Sequence, residues 1–384
     1  MAKKRGRGKG HPAYTGRAMA TDVISFARGA PSADILPVEA VREAAAKALE
    51  SDWQRALSYG TGRGHPGLCE WLAEHHSVEP EQVMATNGSM EAAAILFRNL
   101  VSEGDRVLVE QPTYDRTLLL LRQQGVELAT APLEDDGVDV KAVEAACEQG
   151  PLKLAHLIPS FHNPAGCRLS QEKKARLVEL ANERGFEIFE DDPYRLLSFE
   201  GDPPETMLDM DEQGSVIHAG SFSKTVSPGV RVGYLVGPSE RIASLAKAAN
   251  ETYISPSMLA ESIVWEMCRS GVLDRNVVVV TEALRERRDA LVSALQEKIP
   301  QATFVVPEGG YFLWLDLNED VDTTQLLAEA KEEGVSYVAG ADFLLDGGAS
   351  SLRLAFCAEP PERITDGVDR LTRVLERARS GAPA

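Results

Sequence analysis

Val216-Ile217-His218-Ala219-Gly220-Ser221-Phe222-Ser223-Lys224-Thr225, followed by Pro228-Gly229-Val230-Arg231-Val232-Gly233-Tyr234-Leu235-Val236, is the stretch from which the rest of the chain is best read. Two short β-type runs, Val216–Ala219 and Val232–Val236, enclose a loop holding the hydroxyls of Ser221 and Ser223, the amine of Lys224 and, seven residues after it, the guanidinium of Arg231. Hydroxyls and a guanidinium suit a phosphate, and an amine beside them suits a Schiff base. A lone lysine is usually a solvated surface charge, so the chemical reading of Lys224 depends on what accompanies it upstream.

Upstream, the same alternation continues. Val83–Thr86, Arg106–Glu110, Leu152–Ile158 and Glu187–Glu190 read as further strands, with helical periodicity between several of them, clearest in Ser89–Leu100 and Ser170–Arg184. Apolar strands alternating with amphipathic helices predict an α/β fold with a largely parallel sheet covered on both faces. Downstream, Val277–Lys298 predicts a long helix rich in Arg and Glu, with Leu284, Leu291 and Leu295 for a buried stripe. Strands at Tyr311–Leu317 and Leu352–Phe356 and a helix near Thr323–Glu332 make a second α/β region. A chain of 384 residues exceeds one compact core, and the expected partition is a large domain at 51–284 and a smaller one from 22–50 with 285–384, the boundary falling in the long helix.

The formal charge of −19 repels phosphate backbones and anionic membrane over most of the surface, so nucleic acid is not an expected partner. Residues 1–21 are the exception, with Lys3, Lys4 and Arg5 in a row and Arg7 and Lys9 between glycines, and are read as a flexible basic arm. Five cysteines without C-x-x-C spacing indicate neither a disulfide framework nor a zinc site. No run approaches the ~20 apolar residues that span a bilayer, and a reducing, cytoplasmic location is expected.

Three further segments sit where strands end. Asn163-Pro164-Ala165-Gly166 follows the run ending at Ile158, and is either a cofactor contact at a strand terminus or a Pro-Gly turn whose Asn merely caps it. Glu190-Asp191-Asp192-Pro193-Tyr194 ends another strand in carboxylates and a phenol. No histidine lies near in sequence to complete a metal set, so no metal is expected there. Asn87-Gly88-Ser89-Met90 joins a strand to an amphipathic helix, where free N–H groups make an anion site and Ser89 is available as a helix cap.

In this order and spacing, the segments resemble the fold-type-I pyridoxal-phosphate aminotransferases of class I/II, in particular the branch of 2-aminoadipate aminotransferase and the catalytic domains of MocR-type regulators. The likeness runs from about Ile24 to the C-terminal helix and includes Tyr59-Gly60, Pro112-Thr113-Tyr114, Pro307-Glu308-Gly309-Gly310 and Leu352-Arg353-Leu354. It implies a mostly parallel seven-stranded sheet between helices plus a smaller α/β domain, with pyridoxal 5'-phosphate as cofactor. By resemblance, Lys224 carries the cofactor as an aldimine and moves the Cα proton, Asp191 pairs with the pyridine nitrogen, Tyr194 and Asn163 address the phenolic oxygen, and Tyr114 stacks on the ring. Gly88, Ser89, Met90, Ser221, Ser223 and Arg231 form the phosphate cup, which Tyr59 completes from the neighbouring subunit of a homodimer. Arg353 grips the substrate α-carboxylate, with Asn163, Gly29 and Arg28 also at the substrate.

Arg28 replaces a common glycine, Cys69 a common arginine and Ala165 a common threonine. Arg28 either reads a side-chain carboxylate or points to solvent. The implied activity is ping-pong transfer of an amino group from an L-amino acid to a 2-oxo acid, 2-oxoglutarate being the expected acceptor. Lyase, decarboxylase, racemase or oxidase chemistry on the same scaffold, or a MocR-like sensing module without its DNA reader, are the alternatives.

Overall fold

The computed structural model describes residues 23–380; the basic arm expected at 1–21 lies outside the described residues. The strands among the described residues are β1 (Ile24–Ser25), β2 (Val83–Thr86), β3 (Arg106–Gln111), β4 (Glu127–Glu134), β5 (Gly137–Val138), β6 (Leu154–Leu157), β7 (Glu187–Asp191), β8 (Val216–Ser221), β9 (Gly233–Val236), β10 (Phe312–Asp316), β11 (Val335–Ser336), β12 (Val338–Ala339) and β13 (Ser351–Ala355). The main sheet has the order β2-β9-β8-β7-β6-β3-β4-β5. β3, β4, β6, β7 and β8 pair in parallel, β9 is antiparallel to both β2 and β8, and β5 turns back on β4.

The sheet therefore contains the seven strands the resemblance implies and an eighth, the two-residue hairpin strand β5. β4 escapes a reading by apolar runs because it borders the edge, is largely part-exposed and carries Pro132, a residue tolerated near sheet edges.

Period-two alternation explains why the inner strands read as continuous apolar runs. Val107, Val109 and Phe189 face one side, packed with Ala92, Leu96 and Phe97 of the helix Ser89–Leu100 and with Leu245 and Ala249 of Ser239–Tyr253. Leu108, Ala155 and Ile188 face the other, under Leu177 and Ala181 of Gln171–Arg184 and Val143 of Val140–Glu148. Both faces are buried, so neither alternate position tolerates charge without a partner.

A third core joins Ala44 of the helix Val38–Ser51 to Leu68 and Leu72 of Pro66–His76 and to Val264 and Met267 of Met258–Arg269. A fourth is built around the antiparallel set β10-β13-β12. There Leu313, Leu315, Leu352 and Leu354 pack against Leu284, Leu291 and Leu295 of the helix Val272–Lys298, against Ile364 to Leu375 of the C-terminal helix Pro361–Ser380, and against Ile24 and Phe26. The long helix contributes Leu273 to the third core and Val280 onward to the fourth, so one rigid element is shared by both. No helix among the described residues is long and apolar enough to cross a membrane.

Candidate active site

The C-terminal ends of β2, β3, β6, β7 and β8 share one edge of the sheet, the edge at which open α/β sheets bind ligands. Each strand delivers one segment there. β2 leads to Gly88 and Ser89, β3 to Tyr114, β6 to Asn163, β7 ends at Asp191 and β8 at Ser221. A cleft of about 630 Å³ is lined by Ser89, Met90, Tyr114, Asn163, Asp191, Tyr194, Ser221, Ser223, Lys224 and Arg231, and continues into a second lobe of about 790 Å³ bordered by Gly29, Phe312, Phe343 and Arg353. Tyr114, Asn163, Tyr194 and Lys224 face both lobes.

Asp191 is nearly buried, with Oδ2 3.4 Å from His156 Nε2 and Oδ1 lacking a hydrogen-bond partner among the described residues. A buried carboxylate oxygen without a hydrogen bond is costly unless a ligand meets it. Lys224 is half-buried; its Nζ donates to the Gly29 carbonyl at 3.1 Å and lies 5.4 and 5.0 Å from the ring centroids of Tyr194 and Tyr311. Burial, together with the Arg353 and Arg231 cations, pulls its amine down to about 8. An amine titrating there is partly neutral at physiological pH and so nucleophilic. Burial pushes the Tyr194 phenol well above its ordinary value, and burial with the Asp115 and Asp191 carboxylates does the same more mildly for Tyr114.

The anion cup forms where β2 meets the helix Ser89–Leu100. Gly88, not Ser89, is its N-cap, and no side chain caps it, which corrects the cap role assigned to Ser89 and leaves the first N–H groups available. Gly88 holds φ of 91°, and a Cβ there would stand 2.2 Å from Arg231 Nη2. Arg231 reaches across with Nη1 donating to Ser223 Oγ at 3.2 Å and Nη2 to the Asn87 carbonyl at 3.3 Å, while the Ser223 N–H donates to Ser221 Oγ at 3.2 Å. Open N–H groups, hydroxyls and a guanidinium converging on one point fit a phosphate.

Arg353, on β13, sits between the rings of Phe312 and Phe343 at 4.3 and 4.8 Å. Nη1 donates to Asn163 Oδ1 at 2.9 Å and Nη2 to the Ala27 carbonyl at 2.9 Å, whereas the buried Nε has no partner among the described residues. Two fixed donors and an aromatic sandwich hold the fork rigid, the arrangement that favours bidentate capture of a carboxylate. Gly29 packs so closely that a Cβ would lie 2.7 Å from Phe312 Cζ.

Two of the site residues named from the sequence lie apart. Arg28 is exposed and lines neither lobe. Tyr59 is 85% exposed and lies beside Tyr253, Ser255 and Met258 in a separate surface depression. His156, Phe312 and Phe343 were not singled out. His156 had a signal, being the one polar side chain in the apolar run Leu152–Ile158 apart from Lys153; the two phenylalanines had none beyond core character.

The carboxylates flanking Asp191 point to the opposite face of β7. His218, opposite Glu190 in the β7–β8 register, brings Glu190, Asp192 and His218 ligand atoms within 4.8 Å, a third partner that sequence proximity did not suggest. Its Nδ1 lies 2.9 Å from Glu190 Oε2, Ser160 Oγ donates to Asp192 Oδ2 at 2.9 Å, and the buried Lys174 amine adds a compensating cation.

The chemistry of these residues fits pyridoxal phosphate: the cup would take the phosphate, the orphaned Asp191 oxygen a protonated ring nitrogen, and the Lys224 amine an aldehyde. Residues 21–371 match the model of the aminotransferase class I and II family. The chain is 34% identical to aromatic-amino-acid aminotransferase 1 of Thermococcus litoralis, over 93% of this chain and 88% of that protein. It is 33% identical to the 2-aminoadipate transaminase of Thermus thermophilus, over 92% and 90%. The crystal structure of LysN, the α-aminoadipate aminotransferase of Thermus thermophilus complexed with N-(5'-phosphopyridoxyl)-L-leucine, superposes with a TM-score of 0.90 at 32% identity, covering 97% of this chain and 96% of that one. Matched along nearly its whole length in sequence and in fold, the chain belongs to the class I and II aminotransferases, enzymes of the pyridoxal-phosphate fold type I.

Proposed function

We propose that this enzyme moves an amino group from an L-amino acid to 2-oxoglutarate, with Lys224, Asp191 and Tyr194 as its catalytic residues. The observation that carries the reading is the convergence, in one cleft, of an amine held near neutrality, an unpartnered buried carboxylate oxygen and a rigid guanidinium. Pyridoxal phosphate, when bound, supplies an electron-poor ring that accepts the electrons left at Cα and carries the amino group between half-reactions. Asp191 would keep the ring nitrogen protonated, itself positioned by His156. Arg353 would fix the α-carboxylate, so that the Cα proton faces Lys224, whose amine takes and returns it. Asn163 accepts from Arg353 at its Oδ1, which leaves its Nδ2 as a donor that, with the Tyr194 hydroxyl, would hold the cofactor's phenolic oxygen. Gly88, Ser89, Met90, Ser221, Ser223 and Arg231 would anchor the phosphate.

A homodimer belongs to the proposal. Trp53, Leu57, Tyr59 and Ile254 are large apolar or aromatic side chains left exposed, which supports a second copy covering that face and Tyr59 reaching the partner's phosphate cup. Residues 51–284 are proposed as the cofactor domain and 22–50 with 285–384 as the smaller one. Five unpaired cysteines suit a cytoplasmic location. The test is the absorbance of the holoenzyme as single L-amino acids are added without a 2-oxo acid. Replacement of the visible cofactor band by the near-ultraviolet band of its amino form, reversed by 2-oxoglutarate, is expected. A visible band that no amino acid converts would refute transamination and leave only the cofactor site.

A further inference from the structure

The second lobe runs outward from Lys224 and Arg353 to a rim made by Asp115, Arg116, Val338 and Asp342. Its inner walls are Tyr114, Phe312 and Phe343, so a substrate side chain meets aromatic surface first and charge only at its far end. Of the charged rim groups one is a cation. Arg116 has its side chain 60% exposed, with Nε 3.4 Å from Asp115 Oδ2, and among the described residues it has no other ion-pair partner and donates no hydrogen bond. Exposed pairs of this kind contribute little, so the guanidinium is easily taken by a competing carboxylate. Arg353, by contrast, is committed at both Nη atoms and stacked between two rings, and serves one carboxylate at the inner end.

We infer that Arg116 is the residue that reads the distal carboxylate of a dicarboxylic substrate, leaving Asp115 to do so. The inference rests on the aminotransferase reading and gives its side-chain subsite. Two carboxylates, Asp115 and Asp342, share the rim and repel a second anionic group everywhere except at this guanidinium. Substrates with neutral side chains use the aromatic walls while Arg116 stays on Asp115. One subsite thus accepts an uncharged donor and a dicarboxylic acceptor in turn. Arg28 does not supply this contact, since it lines neither lobe; its carbonyl faces Cys357 Sγ at 3.5 Å.

The experiment titrates holoenzyme with glutarate and with valerate, a dicarboxylate and a monocarboxylate of equal carbon number, and measures kcat/KM for 2-oxoglutarate and 4-methyl-2-oxopentanoate alongside. Arg116→Gln is expected to weaken glutarate and to lower kcat/KM for 2-oxoglutarate about tenfold to a hundredfold, the loss of a charge-assisted contact, with valerate and the neutral oxo acid within about twofold. Asp115→Asn, which frees the guanidinium, is expected to tighten glutarate. Equal loss for both ligands in Arg116→Gln, or a selective loss seen in Arg28→Gln and not in Arg116→Gln, would overturn the inference. Glutarate binding needs no turnover, so a selective loss in an enzyme that fails to transaminate would leave the subsite standing and remove the reaction.

Discussion

Glu261 is buried completely on the helix Met258–Arg269, with Oε2 accepting the His65 backbone N–H at 2.6 Å and Oε1 facing no hydrogen-bond partner among the described residues. Burial, reinforced by the Glu91 carboxylate, pushes its acid up to about 8 from an ordinary 4.5, against the smaller opposing effect of the His65 N–H. A carboxyl raised in this way must keep its proton in the folded state while the unfolded chain releases it. Its contribution to stability is therefore complete below pH about 4.5 and is lost as the pH climbs toward 8. At pH 7 the unfolded chain has been favoured over about 2.5 pH units, which at about 1.36 kcal/mol each amounts to roughly 3 kcal/mol.

Glu261→Gln removes the ionisation while keeping the shape and a carbonyl for the His65 N–H. The variant is expected to be more stable by roughly 3 kcal/mol at pH 7, with no difference near pH 4.5 and a growing one up to about 8. With an unfolding entropy of about 2.1 cal/mol/K per residue over 384 residues, that gain raises Tm by roughly 4 °C. Paired thermal scans of holoenzyme and variant at pH 5, 6, 7 and 8 read the difference directly. A Tm difference that does not change with pH, or a variant less stable at pH 7, would refute the reasoning. Cys69 shares this environment, its thiol raised by burial first and by the Glu261 carboxylate second.

Asp191→Asn leaves the site's shape but cannot stabilise a protonated ring nitrogen, and is expected to lower kcat about 10²–10³-fold in steady-state assays. Arg353→Lys replaces a stacked, forked cation by a point charge, so kcat/KM for every amino acid should fall about tenfold to a hundredfold. For apoenzyme mixed with pyridoxal phosphate, the rate of cofactor capture followed by stopped-flow absorbance should rise with pH and be half-maximal near 8, because only the neutral Lys224 amine attacks an aldehyde.

Much of the large sheet was legible because its inner strands are buried on both faces and leave unbroken apolar runs. The bounds expected for β2 and for the helix Ser89–Leu100 coincide with those observed. Legibility fades where tertiary context replaces local pattern. β4 carries a proline and is only partly buried, so it lacks the run that marks β3 and β6. The helix expected near Thr323–Glu332 begins only at Leu327, since Thr323 is buried and spends its hydroxyl on the Ser351 carbonyl. Phe343 reaches the site from the short helix Gly340–Phe343, and its place against Arg353 depends on a fold no local pattern encodes. Arg116 adjoins Tyr114 in a segment read for its tyrosine alone; its role depends on which residues the lobe gathers around it.

The run Glu190-Asp191-Asp192 shows how a strand separates chemically identical groups. Successive side chains on β7 point to opposite faces, so register alone sends Asp191 to the cleft and its neighbours behind the sheet. Behind it, Glu190 is held below its ordinary range despite burial, by His218 and the Met207 N–H, while burial and the Glu190 charge push Asp192 up to about 6. Every oxygen of Glu190 is used, by Met207, Leu208 and His218. Asp191 alone of the three faces the cleft with an oxygen uncommitted. Shifting the strand by one residue would present Glu190 and Asp192 to the ring and bury Asp191 among their partners. On the proposed reading, the pairing Asp191↔Ala219 in the β7–β8 register is as much a requirement for activity as the carboxylate itself.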